Sequence, residues 1–242
     1  MDKLYIVIPA YNEEATIEQV IDDWYPVVTM ASPDSRLLII DDGSKDHTLE
    51  TVKEAAKTRE QLIPVTKPNG GHGATVLYGY QYAIKEGADY IFQTDSDGQT
   101  LPAEFSPFWE DRNQYDMIVG HRNHRKDGGS RIFVTKVLKC VIKLCFHVSV
   151  VDANTPYRLM KADVLKEELQ LVPKDFFLAN VLINVIYTKE KRPVKYVPIT
   201  FRPRQGGVNS INMKRIWGIG KQALHDFLTL NKQIDQAIAE KK

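Results

Sequence analysis

The chain has 242 residues, and its content of 43% hydrophobic and 26% charged residues is ordinary for a soluble globular protein with a full core. Its 32 basic and 31 acidic residues give a net charge of +1, so we expect no nucleic-acid partner, because such domains carry a clear basic excess. Its two cysteines, Cys140 and Cys145, form no disulfide framework, and no charged leader precedes the first apolar run. We therefore predict buried free thiols and a cytoplasmic location.

Strand and helix patterns alternate along the first 120 residues. The predicted strands are Leu4–Ile8, Leu37–Asp41, Leu62–Thr66, Tyr90–Thr94 and Met117–Val119. The predicted helices are Glu14–Met30, Thr48–Arg59, Gly73–Glu86 and Pro102–Arg112. This alternation predicts an α/β fold with a doubly wound, mostly parallel sheet flanked by helices. In such sheets, ligands bind beyond the carboxyl ends of the strands.

The second half of the chain is less regular. We predict helices over Ile132–Val151 and Asp175–Lys189, and a strand over Val194–Phe201. A basic, glycine-rich loop follows at Arg202–Ser210, and an amphipathic helix closes the chain.

The helix predicted over Ile132–Val151 carries one narrow polar stripe on an otherwise apolar surface. The stripe consists of Lys136, Lys139, Lys143 and His147, at helical spacings of three and four. Two interpretations stay open. The helix is buried with its stripe facing water, or it lies in a membrane interface with its lysines toward the headgroups.

A pair of aspartates directly follows the strand predicted at Tyr90–Thr94. Asp95 and Asp97 are two residues apart, so their carboxylates point the same way in an extended segment, with Gln99 in reach if the turn curls back. Such hard oxygen ligands suit Mg²⁺ or Mn²⁺, with a phosphate usually supplying a further ligand. An ordinary polar turn explains the same residues, because Asp and Gly are common in turns.

Polar residues also follow the first two predicted strands. Tyr11 is suited to stacking on a base, and Glu13 to accepting a hydrogen bond from it. Asp41 and Asp42 are suited to binding a nucleobase or a ribose hydroxyl. The glycine-rich run 69–74 opens a helix whose free N–H groups can face an anion. Each run, taken alone, is also explained as a connection or a helix cap.

Taken in order, these motifs resemble the family 2 glycosyltransferases with the GT-A fold. They are most similar to the dolichol-phosphate mannose synthase branch, the polyprenyl-phosphate glycosyltransferases. The runs that carry the resemblance are 8–13, 41–44, 69–74, 95–99, 119–122, 152–158 and 201–210. The resemblance implies a GT-A domain over 1–212, with a nucleotide-binding half at 1–120 and an acceptor half at 121–212, followed by an amphipathic helix at 213–242.

The resemblance also implies roles for individual residues. The nucleotide pocket would be lined by Pro9, Tyr11, Glu13, Asp41, Asp42 and Asp95. The metal, Mg²⁺ or Mn²⁺, would be held by Asp95, Asp97 and Gln99. Acceptor or donor phosphates would be bound by Arg122, Arg131 and Ser210. The catalytic residues would be Asp97, Arg204 and Asp152, with Arg204 on a loop that closes over the sugar diphosphate.

The implied reaction is inverting transfer of a hexosyl unit from a GDP- or UDP-linked sugar to a polyprenyl (dolichyl or undecaprenyl) phosphate. The enzyme would be cytoplasmic, with peripheral contact at the cytoplasmic face of the membrane. A hydroxyl acceptor would need a general base, for which Asp152 and Asp175 are the candidates. Three alternatives stay open: a soluble family 2 enzyme acting on a glycan hydroxyl in capsule or cell-wall synthesis, a sugar-1-phosphate nucleotidyltransferase, and a non-catalytic nucleotide-sugar sensor.

Overall fold

The computed structural model describes residues 1–122, 129–204 and 213–241, with the backbone alone for residues 129–134 and 213–221. Its strands are β1 Leu4–Ala10, β2 Arg36–Asp41, β3 Leu62–Thr66, β4 Tyr90–Thr94, β5 Met117–Arg122, β6 Tyr157–Lys161 and β7 Val194–Ile199. Its helices are α1 Ile17–Ala31, α2 Thr48–Ala56, α3 His72–Lys85, α4 Ser106–Glu110, α5 Gly129–Phe146, α6 Ala162–Glu168, α7 Ala179–Lys189 and α8 Met213–Glu240.

Within the described residues, the strands form one sheet in the order β3-β2-β1-β4-β6-β5-β7. Strand β6 is antiparallel to both neighbours, and the other pairs are parallel. The predicted α/β fold with a mostly parallel sheet is therefore confirmed. The sequence analysis did not predict β6, because Arg158 and Lys161 interrupt its apolar pattern.

The sheet brings three of the predicted polar runs to one edge. Strands β1, β2 and β4 are parallel neighbours, so the residues after Ala10, Asp41 and Thr94 emerge together. Strand β5 also ends at this edge, because it is antiparallel to β6, which is itself antiparallel to β4.

Apolar side chains cover both faces of the sheet. On one face, Trp24 of α1 packs on Phe92 of β4, with ring centroids 5.3 Å apart. On the other, α3 lies directly on the strands at Gly79, where a Cβ atom would come within 2.4 Å of Val7 Cγ1 and 2.7 Å of Ile40 Cδ1. Each fully buried Leu or Phe side chain contributes about 1.5–3 kcal/mol, so this packing is a main source of the stability of the sheet.

Several predicted boundaries differ from the structure. The helix predicted over Pro102–Arg112 is a 3-10 turn at Pro102–Glu104 followed by the short α4. The helix predicted from Asp175 begins at Ala179, and the one predicted to Val151 ends at Phe146. Residue His147 follows with φ +58°, a left-handed conformation that ends the helix.

Helix α5 packs against α8, where the rings of Phe146 and Phe227 have centroids 5.0 Å apart. Cys145 is buried, but Cys140 is exposed, so the prediction of two buried thiols is wrong for Cys140. Searching the described part of the chain finds no helix long and apolar enough to cross a membrane.

A carboxylate cluster joins the end of α8 to the body of the fold. Glu168 is fully buried and 2.9 Å from the Arg192 guanidinium, which also pairs with Glu190. Lys241, just after α8, pairs with Glu190 at 2.7 Å. Burial, and then the neighbouring Glu190, raise the pKa of Glu168 to about 7, while that of Glu190 is lowered.

We predict that Glu168→Gln stabilises the protein at pH 8 and has little effect near pH 5. Because the native-state pKa of Glu168 lies above its ordinary value of 4.5, its contribution to stability is full below pH 4.5 and is lost as pH rises through about 7. Thermal unfolding at both pH values tests this. Each kcal/mol of added stability should raise the unfolding temperature by about 2–4 °C. The control is Glu167→Gln, an exposed neighbour that also pairs with Arg192. Equal shifts at both pH values would contradict the prediction.

Candidate active site

The Asp95 carboxylate is oriented by a chain of buried hydrogen bonds. Gln93 of β4 donates from Nε2 to Asp95 Oδ1 at 3.0 Å. Asn180 of α7 donates from Nδ2 to Gln93 Oε1 at 2.9 Å, and the Tyr80 hydroxyl of α3 donates to Asn180 Oδ1 at 3.1 Å. The three supporting side chains are almost fully buried. This series of hydrogen bonds therefore couples α3, α7 and β4 to one carboxylate at the sheet edge.

Asp97 lies on the turn that follows. Its Oδ1 accepts a hydrogen bond of 3.2 Å from the backbone N–H of Gln99, and Gly98 closes the turn with φ +69°. Burial, and then the neighbouring charge of Asp95, raise the pKa of Asp97 to about 6. A divalent cation would stabilise the ionised form of Asp97, and the hard oxygens of the two carboxylates fit Mg²⁺ or Mn²⁺.

His72, the first residue of α3, adds a nitrogen to this group, since its Nε2 lies 3.0 Å from Asp95 Oδ1. Among the residues that the structure describes, no three His, Cys, Asp or Glu side chains are already arranged around one point as a metal centre. A cation at Asp95 and Asp97 would therefore complete its coordination with substrate or water ligands.

Gln99 connects the aspartate turn to Arg202, the first residue of the basic, glycine-rich loop. Its Nε2 donates to the Arg202 carbonyl at 2.7 Å, and its own carbonyl accepts from the Arg202 N–H at 2.9 Å. The metal-ligand role of Gln99 stays a prediction. Its side-chain Nε2 is bound to the Arg202 carbonyl, and a metal would be bound by the amide oxygen instead. These bonds hold Arg202 beside the aspartate turn.

Arg204 forms an ion pair with Glu13 in this arrangement. Glu13 is buried, and its Oε2 accepts a 3.1 Å hydrogen bond from Thr16 Oγ1, which also donates to the Ser96 carbonyl at 3.0 Å. Burial raises the pKa of Glu13 despite the opposing effect of Arg204. The structure thus brings Glu13, Arg204 and the aspartate turn together, and the roles implied for Glu13 and Arg204 stay predictions.

Asp41, the last residue of β2, and Asp42, which follows it, are engaged with neighbouring groups. Asp41 accepts from the Ser44 N–H at 3.1 Å and from Thr66 Oγ1 at 2.8 Å. Asp42 accepts from the backbone N–H groups of Gly70 and Gly71 at 2.9 and 2.8 Å. It also pairs with Lys67, and although burial raises its pKa, these partners lower it overall. Asp42 therefore organises the glycine-rich run, and base binding by either acid stays a prediction.

The remaining residues of the predicted nucleotide pocket lie at the end of β1. Pro9 is buried in the strand, beside Ile40 of β2 in the sheet register. Tyr11 follows the strand with 42% of its surface exposed, so its ring is accessible to a stacking partner.

Arg122, at the end of β5, forms a bidentate ion pair with Asp152. Its Nε and NH2 atoms donate to the two carboxylate oxygens at 2.9 and 2.8 Å. Burial raises the pKa of Asp152, but the bonds to Arg122 outweigh it and lower that pKa to about 2. A carboxylate held in this way is a weak base.

A cavity of about 210 Å³ lies against this ion pair, between the end of β5 and helix α5. Its lining includes His121, Arg122, Lys136, Lys139 and Asp152. Three basic side chains and only one acidic side chain in this set make the cavity suited to an anion.

Two predicted phosphate-binding residues lie outside what the structure describes at side-chain level. Arg131 belongs to the part of α5 with a described backbone only, and Ser210 lies in the undescribed range 205–212. Asp175 is exposed, and α7 begins four residues later, after Leu178, so Asp175 does not cap this helix and its role as a general base stays a prediction.

Sequence reasoning missed four residues that shape the site: His72, Gln93, Arg158 and Asn180. Arg158 is fully buried and donates to the carbonyls of Ala153, Thr155 and Asn180, which holds the loop that carries Asp152. The sequence signal that could have found two of them is a polar side chain within a mainly apolar strand. Gln93 in β4 and Arg158 in β6 are such residues.

The family model for glycosyl transferase family 2 matches residues 5–177, and the chain therefore belongs to this family. An undecaprenyl-phosphate 4-deoxy-4-formamido-L-arabinose transferase of Shewanella sediminis is 26% identical over 74% of this chain and 54% of its own length. A polyprenol monophosphomannose synthase of Mycolicibacterium smegmatis is 25% identical over 88% of this chain and 86% of its own. The chain thus spans about half the length of the arabinose transferases.

Solved structures share the fold. Glucosyl-3-phosphoglycerate synthase of Mycobacterium tuberculosis, in complex with Mn²⁺, UDP and phosphoglyceric acid, superposes with a TM-score of 0.69. It is 18% identical and covers 95% of this chain and 78% of its own. The GT-A fold expected from the sequence is confirmed.

We predict that Asn180→Ala destabilises the protein by about 1–3 kcal/mol, because it leaves the buried Tyr80 hydroxyl and the Gln93 amide oxygen without their partner. Chemical denaturation measures the change. The control is Asn113→Ala, which removes an exposed amide that accepts from the Tyr90 hydroxyl. If Asn180→Ala lowers the free energy of unfolding no more than the control does, the buried hydrogen bonds leading to Asp95 add no more stability than an exposed one.

Proposed function

We propose that the chain transfers a hexosyl unit from a nucleoside diphosphate sugar to a polyprenyl phosphate, with inversion at the anomeric carbon. The observation that carries this proposal is the basic cavity at Arg122, which opens at the same sheet edge as Asp95 and Asp97. A donor diphosphate and an acceptor phosphate then meet at one edge. The names of the two relatives, both acting on polyprenyl or undecaprenyl carriers, support this acceptor class.

On the donor side, the chain binds and orients a GDP- or UDP-linked sugar. Bound Mg²⁺ or Mn²⁺, held by Asp95 and Asp97, would stabilise the negative charge of the departing diphosphate. Arg204 already lies close to the aspartate turn, in its ion pair with Glu13. Exchange of Glu13 for the diphosphate would let Arg204 neutralise the leaving group and exclude water.

On the acceptor side, the state of Asp152 favours a phosphate over a hydroxyl. A phosphate monoester has a second pKa of about 6, so it is already anionic at pH 7 and needs no strong base. A hydroxyl acceptor needs one, and Asp152 is held by Arg122 with its pKa lowered to about 2. In this proposal Asp152 positions Arg122, and Arg122 orients the nucleophilic phosphate oxygen.

The outer face of α5 is suited to a membrane surface. Val137 and Leu144 are 44% and 68% exposed, and the exposed Lys136, Lys139 and Lys143 lie beside them on the same helix. Apolar side chains flanked by lysines are typical of peripheral binding to anionic lipid. We propose peripheral contact at the cytoplasmic face, which would bring the basic cavity to the lipid acceptor.

The alternative enzyme is a soluble family 2 glycosyltransferase that builds capsule or cell-wall glycans on a hydroxyl. Its acceptor would need a base other than the tightly paired Asp152. The remote alternative is a sugar-1-phosphate nucleotidyltransferase. Enzymes of that class have a glycine-rich loop with a basic residue after the first strand, and the run after β1 has no such loop.

Incubation with UDP- and GDP-linked hexoses, Mn²⁺ or Mg²⁺, and undecaprenyl or dolichyl phosphate should give a lipid-extractable glycoside with inverted configuration. We predict that Asp97→Ala lowers turnover by about 10²-fold or more, through loss of charge stabilisation, and keeps the native unfolding temperature. The control is the exposed Asp34→Ala. Full turnover in Asp97→Ala would remove the metal assignment, and product only on glycan hydroxyls would favour the alternative.

We predict that a Lys136→Glu and Lys139→Glu double variant loses binding to anionic liposomes in flotation at low salt and raises KM for polyprenyl phosphate. Each lysine near a charged surface is worth about 1 kcal/mol. The matched control is Lys53→Glu on α2 with Lys57→Glu just after it, which makes the same change of net charge at exposed positions. Equal flotation of both variants and the parent chain would contradict the membrane role of α5.

A further inference from the structure

We propose that His72 is a protein ligand of the divalent cation, binding it through Nε2 beside Asp95, and that it makes this site prefer Mn²⁺ to Mg²⁺. The inference rests on the proposed function, because it concerns the same cation.

The distance between the two ligand atoms fits adjacent positions on one ion. His72 Nε2 and Asp95 Oδ1 are 3.0 Å apart. Two neighbouring ligands, each about 2.1 Å from an octahedral ion, are separated by about 3.0 Å. Without the ion this pair is held by a hydrogen bond, and binding would require His72 to carry its proton on Nδ1.

The backbone holds His72 in place from both sides. Before it, Asp42 accepts the N–H groups of Gly70 and Gly71, and Gly71 takes φ +82° at the helix start. After it, a Cβ atom on Gly73 would lie 2.3 Å from the Phe176 carbonyl oxygen, so α3 lies directly against that segment.

Asp95 is equally constrained, because Gln93 donates to the same Oδ1 atom that faces His72. Asp95 is therefore oriented before a cation arrives, and the His72 side chain, 51% exposed, is held on a fixed backbone by its bond to Asp95. Pre-positioned ligands reduce the ordering that binding requires.

The nitrogen ligand has a consequence for selectivity. Mg²⁺ takes oxygen ligands and keeps several waters, whereas imidazole suits the transition metals. A site with carboxylates alone discriminates weakly between Mg²⁺ and Mn²⁺, and one imidazole shifts the preference to Mn²⁺.

The test is electron–nuclear double resonance on protein labelled with ¹⁵N in histidine only and loaded with Mn²⁺ and UDP or GDP. We expect a ¹⁵N coupling from a directly bound imidazole in the parent chain and in His225→Gln, an exposed histidine on α8. The coupling should vanish in His72→Gln. The Mn²⁺ affinity of that variant should fall about tenfold or more, since even partners outside the coordination sphere cost about 10–100-fold. Its Mg²⁺ affinity should change less.

The ³¹P coupling in the same spectra tests the metal-bound diphosphate of the proposed function separately from the His72 ligand. A ³¹P signal without ¹⁵N in the parent chain would overturn the role of His72 and leave the metal-bound diphosphate intact. Absence of both signals would count against the proposed function itself. A ¹⁵N signal that persists in His72→Gln would assign the ligand to another histidine and overturn the inference, and the parent spectrum decides even if this variant fails to fold.

Discussion

The arrangement of the site depends on the buried hydrogen-bond chain that runs from Tyr80 through Asn180 and Gln93 to Asp95. Buried polar groups are costly without partners, so each member restricts the orientation of the next. The chain crosses from α3 to α7 to β4, and it ends on a carboxylate oxygen at the sheet edge. The core and the candidate metal ligand therefore cannot shift independently.

Charge is distributed unevenly along this edge. Glu13, Asp42 and Asp152 each have a basic partner, in Arg204, Lys67 and Arg122. Asp97 instead lies beside a second carboxylate, and its pKa is raised. The negative charge that is least compensated is therefore at the aspartate turn, where a cation would be bound. In the proposed function, the donor diphosphate would replace Glu13 at Arg204, whereas Asp152 would stay paired with Arg122 and position it.

Much of this site could be predicted from local sequence. The first four parallel strands have strong apolar runs, and the residues that follow them emerge at one edge by the rules of parallel sheets. Asp95 and Asp97 are predicted at this edge because they directly follow the apolar run of β4. Strand β6 could not be predicted, because an arginine in the middle of a short run argues against a buried strand. Arg158 can be buried because its guanidinium donates to the carbonyls of Ala153, Thr155 and Asn180. The same holds for Gln93, whose partner is 87 residues away.

The sequence by itself determined the fold class, the family resemblance and the strand ends at which the acids lie, since these follow from short-range periodicity and from runs of adjacent residues. Only the tertiary structure decided which groups meet: His72 with Asp95, Arg204 with Glu13, and Arg122 with Asp152. These pairs join residues 23 to 191 positions apart. Their contact depends on how helices and loops fold back over the sheet, which local patterns do not encode.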